Sequence, residues 1–257
     1  MTIDTFTPVL FAVGMFLGML FLQEIGRRIG VHRKVKDSAG AGTSTMEGAV
    51  FALLGLLIAF TFSGAASRFD ERRQLVAQEA NAIGTAYLRL DLLAPDSRSA
   101  LRRLFSQYLD SRLAVYKKLP DIEAAQQEWA RSVALQGEIW TQATTACRAQ
   151  GDSPTCILLL PALNEMIDMT TTRKMSTLIH PPTIIFVLLF GLALGCSLVA
   201  GHSMAGSTQR SWIHMIVFAA MTAVTVYVIL DIEYPRLGLI RVDAADQVLV
   251  ELRESMK

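Results

Sequence analysis

Arg68, Asp70, Glu71, Arg72, Arg73 and Glu79 crowd the end of residues 48–67, a stretch without Asp, Glu, Lys or Arg. On a helix, Arg68 and Arg72 stand at i and i+4 and share one face. Repeated around an oligomer, that pair would ring a pore mouth with positive charge and concentrate anions there. In a single chain the same residues are snorkelling and solvated side chains at a membrane edge. Both readings stay open. Asp70 and Glu71 do not form an acid–base pair, because consecutive helical residues point to different sides.

Within the apolar stretches the polar chemistry is limited to hydroxyls, Thr61 and Ser63 in one and Thr222 and Thr225 in another. They either line a pathway or bond back to their own helix carbonyls. Phe60 and Phe62 are candidates for a hydrophobic constriction that gates by dewetting. No ionisable side chain sits at mid-depth, which argues against a proton-coupled transporter. His32, His180, His202 and His214 are scattered without ligand spacing, and P-loop, G-x-S-x-G and H-E-x-x-H patterns are missing. This composition argues against an enzyme and implies neither a cofactor nor a metal. A net charge of +1 without a basic domain gives no support to nucleic-acid binding.

The elements that position these residues are apolar. The chain is 52% hydrophobic and 18% charged, against about a quarter charged in soluble domains. The excess lies in charge-free runs at 6–22, 48–67, 183–200 and 211–230, each near the roughly 17–25 residues that span hydrocarbon. They define spans 6–24, 47–67, 183–200 and 211–231. No basic n-region precedes the first run, so it reads as a retained span and not as a cleaved signal. From Glu47 to Leu93 no proline intervenes, and Phe69, Val76, Ile83 and Leu90 continue an apolar stripe. One helix would therefore cross the bilayer and continue beyond it, about 70 Å in all at about 1.5 Å per residue.

Helical periodicity returns after Pro95 with Leu101, Leu104, Phe105, Tyr108, Leu109, Leu113 and Tyr116, after Asp121 with Trp129, Val133, Leu135, Ile139 and Trp140, and over 156–179. The expected architecture is all-α: four transmembrane helices with a helical bundle inserted between the second and third, the second span running on into the bundle. Its expected parts are a first hairpin (1–67), the bundle (68–180), a second hairpin (181–232) and a C-terminal amphipathic segment (233–257) that lies on the membrane or packs on the bundle. Gly14 and Gly18, and Gly191 and Gly195, have G-x-x-x-G spacing, which allows close helix approach within the chain or between copies.

Arg27, Arg28, Arg33, Lys34 and Lys36 make the first link basic, which places it in the cytoplasm and the N-terminus and bundle outside. Cys147 and Cys156 frame a polar Gly-Asp-Ser-Pro turn and read as a disulfide in an extracytoplasmic segment. Cys196 lies in the third span as a small apolar residue.

EGAVFALLGLLIAFTFS followed by RFDERRQLVAQEANAIGTAYLRLDLL, and LDIEYPRLGLIRV near the C-terminus, resemble the bestrophin-like family of bacterial membrane proteins. The resemblance covers nearly the whole chain. It implies a multi-pass protein of the bacterial inner membrane, homo-oligomeric, with kinship to anion channels. The competing reading is a non-conducting membrane sensor or scaffold whose bundle binds an envelope partner. For the topology, a Ser38→Cys variant is expected to resist an impermeant maleimide in intact cells while Ser97→Cys reacts; the opposite labelling pattern would invert the orientation.

Overall fold

The computed structural model describes residues 7–34, 43–119, 121–149, 154–206, 212–234, 239–240 and 243–256. Lys36, Ser38, Pro120, the Gly151-Asp152-Ser153 turn, Ser211 and Pro235 lie outside the described residues. Eight α-helices are described: α1 (Thr7–Lys34), α2 (Thr43–Arg89), α3 (Pro95–Lys117), α4 (Ile122–Ala149), α5 (Pro154–Leu178), α6 (Thr183–Ser203), α7 (Trp212–Glu233) and α8 (Asp243–Ser255), with no strand among the described residues. Four stretches are long and apolar enough to cross a membrane, in α1, α2, the α5–α6 region and α7.

Local signals explain where the helices stop and start. α2 is uninterrupted until a 3₁₀ turn at Leu90–Leu92, and Pro95 opens α3 at a position where its missing N–H is not needed. The Asp121 carboxylate accepts the Ala124 N–H at 3.0 Å and caps α4. Pro181 and Pro182 separate α5 from α6. The chain divides into two compact units, Met1–Arg68 with His180–Ile240, and Phe69–Ile179 with Arg241–Lys257.

In the first unit α1 and α6 make the closest backbone approach. A Cβ on Gly26 would lie 2.9 Å from the Leu198 carbonyl carbon and 3.0 Å from the His202 nitrogen, and one on Gly201 2.6 Å from the Gln23 carbonyl carbon. Gly30 meets Ala205 and His202 in the same way, so positions rise together along the two helices and they run parallel. The expected glycines behave differently. Gly18 only touches the Leu194 side chain at 3.3 Å, while Gly14, Gly191 and Gly195 face open space within the chain. The intrachain seam uses a further G-x-x-x-G pair, Gly26 and Gly30, which the intervening Arg27 and Arg28 disguise as loop sequence. Glu24 holds both arginines, Arg27 at 3.0 Å and Arg28 at 2.9 Å, within the extended helix.

The second unit is built around Ile83 and Leu90 of α2, Phe105, Tyr108 and Leu109 of α3, Ile139 of α4, Leu163 and Met166 of α5 and Leu249 of α8, all buried. A Cys147–Cys156 disulfide, Cα–Cα 5.6 Å, ties α4 to α5. The C-terminal segment forms α8 on this bundle: Arg253 donates to Asp110 at 2.8 and 3.0 Å, and Leu252 meets Gly84. In detergent, Gly201→Ala is expected to destabilise the protein by about 1–3 kcal/mol through overpacking. Gly195→Ala should be neutral or slightly stabilising, because its Cβ meets nothing and alanine favours helix. Equal thermal unfolding of the two variants would contradict the seam.

Candidate functional site

The apolar part of α2 is the span least covered by its own chain. Only 11% of its most apolar stretch is buried, against 22–33% for the others. Leu54 and Ala65 are buried, with Ile58 and Thr61 half-buried between them on the same narrow stripe, while Phe60, Phe62 and Ser63 are exposed. The covered stripe is held by few contacts: the Phe51 ring packs edge-on against Phe218 at 5.7 Å, and the Cys196 thiol meets the Val50 carbonyl at 3.7 Å. Three of the four expected hydroxyls bond to their own helices. Thr61 donates to the Leu57 carbonyl at 2.8 Å, Thr222 to Phe218 at 2.9 Å and Thr225 to Met221 at 2.8 Å. A back-bonded hydroxyl keeps only its lone pairs for any other partner.

At the end of this apolar stretch the arginines separate in role. Arg68 grips the fully buried Glu233 carboxylate, with Nε at 3.0 Å and Nη2 at 2.8 Å from Oε2. His180 Nδ1 reaches Oε1 of the same carboxylate at 3.0 Å, and its ring stacks on Tyr234 at 4.6 Å. Arg72, read either as a pore-mouth charge beside Arg68 or as a solvated side chain at the membrane edge, is instead buried and donates to the Ser176 and Ile179 carbonyls at 3.2 and 3.1 Å. The reason is electrostatic: the unpaired carbonyls at the C-terminus of α5 are a better place for a guanidinium than a half-solvated face.

Deeper in the bundle, Glu79 of α2 binds two buried arginines. Arg112 Nε donates to Oε1 at 2.7 Å, and Arg173 Nη1 pairs with Oε2. Arg173 continues to Asp246 of α8 at 2.8 Å. Tyr116 lies 4.2 Å from the Arg173 guanidinium carbon, and Trp129 4.9 Å from that of Arg112. One turn away, Tyr108, Gln136 and Thr170 close a second buried network, with Tyr108 to Thr170 at 2.8 Å and Gln136 Nε2 to Thr170 at 2.9 Å. Among the described residues, no group of three or more His, Cys, Asp or Glu converges on a metal site.

A bestrophin-like domain model matches residues 7–246. The chain belongs to the bestrophin-like family. Its structure is similar to crystal structures of single-residue variants of a bacterial bestrophin homologue from Klebsiella pneumoniae. One has a TM-score of 0.69 at 14% identity over 93% of this chain and 97% of that one, and another 0.69 at 14% over 94% and 98%. A structure described only as a membrane protein variant gives 0.70 at 14%, over 93% and 95%. No curated protein matches the sequence. The bestrophin-like fold and the apolar helices make this an integral membrane protein.

The bundle contains buried charged side chains that periodicity alone did not single out. Arg112 falls one turn after Tyr108 on the apolar stripe of α3, and Arg173 lies on α5 a turn beyond Met169. A charge recurring at a core position is the signal that could have found them. Asn81, two residues after Glu79 on α2, is exposed. Burial works against the Arg112 charge, but Tyr116, Glu79 and Tyr108 outweigh it and raise its pKa. The Tyr108 phenol is pushed up to about 12, chiefly by burial and then by the Glu79 carboxylate. Glu79→Ala would leave two buried guanidiniums without their shared carboxylate, and is expected to lower stability by about 3–5 kcal/mol. Asp70→Ala, which removes an exposed partner of Arg73, should change it by less than about 1 kcal/mol. Comparable melting temperatures for the two variants would contradict the assigned role of Glu79.

Proposed function

We propose that this bestrophin-like protein assembles as a homo-oligomer around α2 and conducts small anions. The observation that carries the reading is the exposure of α2: a charge-free membrane helix attached to its own chain along one narrow stripe has the rest of its circumference for other copies and for a central path. Phe60, with 68% of its surface exposed, would form the dewetting constriction, and Ser63 one turn on would supply a hydroxyl. No carboxylate lies between Gly48 and Ser67 to favour cations, and family kinship supports anions. Arg68 would sit at the end of this path, its field reduced by Glu233.

The proposed location is the bacterial inner membrane with the N-terminus and the bundle outside, which the basic link and the Cys147–Cys156 disulfide support. The proposed membrane unit joins both hairpins, and the extramembrane bundle includes α8. A sensor or scaffold role is the second reading, favoured by the back-bonded hydroxyls and the internally engaged Arg72.

Purified protein in planar bilayers, with native mass measured in parallel, tests the reading. The expected result is an oligomer with anion-selective current that rises when Phe60→Ala widens the constriction. An oligomer that inserts correctly and passes no current, with or without that change, would leave the scaffold role. A monomeric mass would remove the pore model.

A further inference from the structure

At the end of the α2 apolar stretch, one fully buried carboxylate meets a permanent cation and a side chain that can become one. Glu233 is 0% exposed; Arg68 holds it through Nε and Nη2, and His180 Nδ1 lies 3.0 Å from its Oε1. The two partners are themselves partly open, Arg68 over 26% and His180 over 29% of the side chain. Arg68 is always charged. With Nδ1 donating to the carboxylate, His180 keeps Nε2 as the position for a proton, and stacking on Tyr234 at 4.6 Å holds the ring in place.

The other charged groups of these segments have engagements of their own. Asp231, two residues before Glu233 on α7, accepts the Leu239 and Ile240 N–H groups at 3.0 and 2.8 Å and the Tyr227 hydroxyl at 3.3 Å. Arg72 donates to the carbonyl of Ile179, the residue before His180. A proton taken up by His180 therefore adds one positive charge at the partly open rim that Arg68 occupies. Histidine is the side chain whose ordinary titration, between about pH 5 and 8, makes such a change within the physiological range.

We propose that His180 is a proton-dependent charge that sets the anion preference of the path along α2: once protonated, it shares Glu233 with Arg68 and leaves an added positive charge beside that path. The role rests on α2 lining an anion path. The charge is gained as pH falls and lost as pH rises, so acidification strengthens the preference for anions.

The test measures the chloride-to-potassium permeability ratio of the full-length protein in planar bilayers under a KCl gradient, at about pH 8 and about pH 5, the two ends of the histidine range. The ratio is expected to rise about two-fold or more on acidification, the effect of one unit charge acting across about 8 Å of water. The rise should shrink near 1 M salt, where the Debye length falls to about 3 Å. His180→Gln, which keeps a donor toward Glu233 and takes up no proton in this range, is expected to lose the response. His180→Lys, which fixes the charge, should show the raised ratio at both pH values. A conducting wild type with the same ratio at both, a response that persists in His180→Gln, or a His180→Lys protein that behaves like the wild type would overturn the proposal and leave conduction standing. An inserted oligomer without current at either pH would overturn the conduction reading, and this role with it.

Discussion

The bundle depends on one carboxylate. Glu79 is fully buried in the C-terminal half of α2, and its two oxygens engage Arg112 from α3 and Arg173 from α5. Arg173 then reaches Asp246, so the same charge network extends to α8. Four helices far apart in sequence meet through three ion pairs. An apolar core can slide with little penalty among similar packings, whereas a misregistered arginine in this interior would stand without its partner. The apolar residues around it, such as Phe105, Ile139 and Leu163, supply burial; the ion pairs fix which helix faces meet and at what height.

The first unit works with a different constraint. Between lipid-exposed helices apolar burial gives little preference, and close packing decides. Gly26, Gly30 and Gly201 let α1 and α6 touch backbone to backbone, and Gln23 lies in that seam with neither end of its amide satisfied among the described residues. α2 takes no part in such a seam. Among the described residues its attachment includes the buried Leu54 and Ala65, an aromatic edge contact, a thiol to a carbonyl, and the pairs Glu47 with Ser203 and Arg68 with Glu233. A span held so sparingly leaves most of its surface to neighbours outside the chain, which is what an oligomeric path would need.

Polar side chains near both ends of the α2 apolar stretch serve the chain's own architecture first. Arg68 and His180 share Glu233, Arg72 caps α5, and Asp231 accepts the Leu239 and Ile240 N–H groups at 3.0 and 2.8 Å. Charges that looked available for a ligand are thus already partnered. The partly exposed Arg68 retains contact with solvent, with 26% of its side-chain surface open.

The all-helical class, the four apolar stretches and the continuous α2 were legible because they depend on local properties: missing charges over a bilayer's length, periodicity near 3.6 and the position of Pro95. The cysteine pair was legible as a short polar loop with matching ends, and the family through two distinctive segments. Partner choice was not legible. Arg68 and Arg72 look equivalent four residues apart, yet one meets a carboxylate from α7 and the other the carbonyl end of α5, because each guanidinium takes the strongest acceptor that the fold brings near. Gly14 and Gly26 both sit in G-x-x-x-G pairs, and only the line along which α1 meets α6 decides which pair becomes a seam. Sequence by itself therefore determined where helices form and which of them suit lipid. The tertiary structure alone decided which charges are neutralised, because burial and electrostatic pairing depend on distances between residues as remote as Glu79 and Asp246.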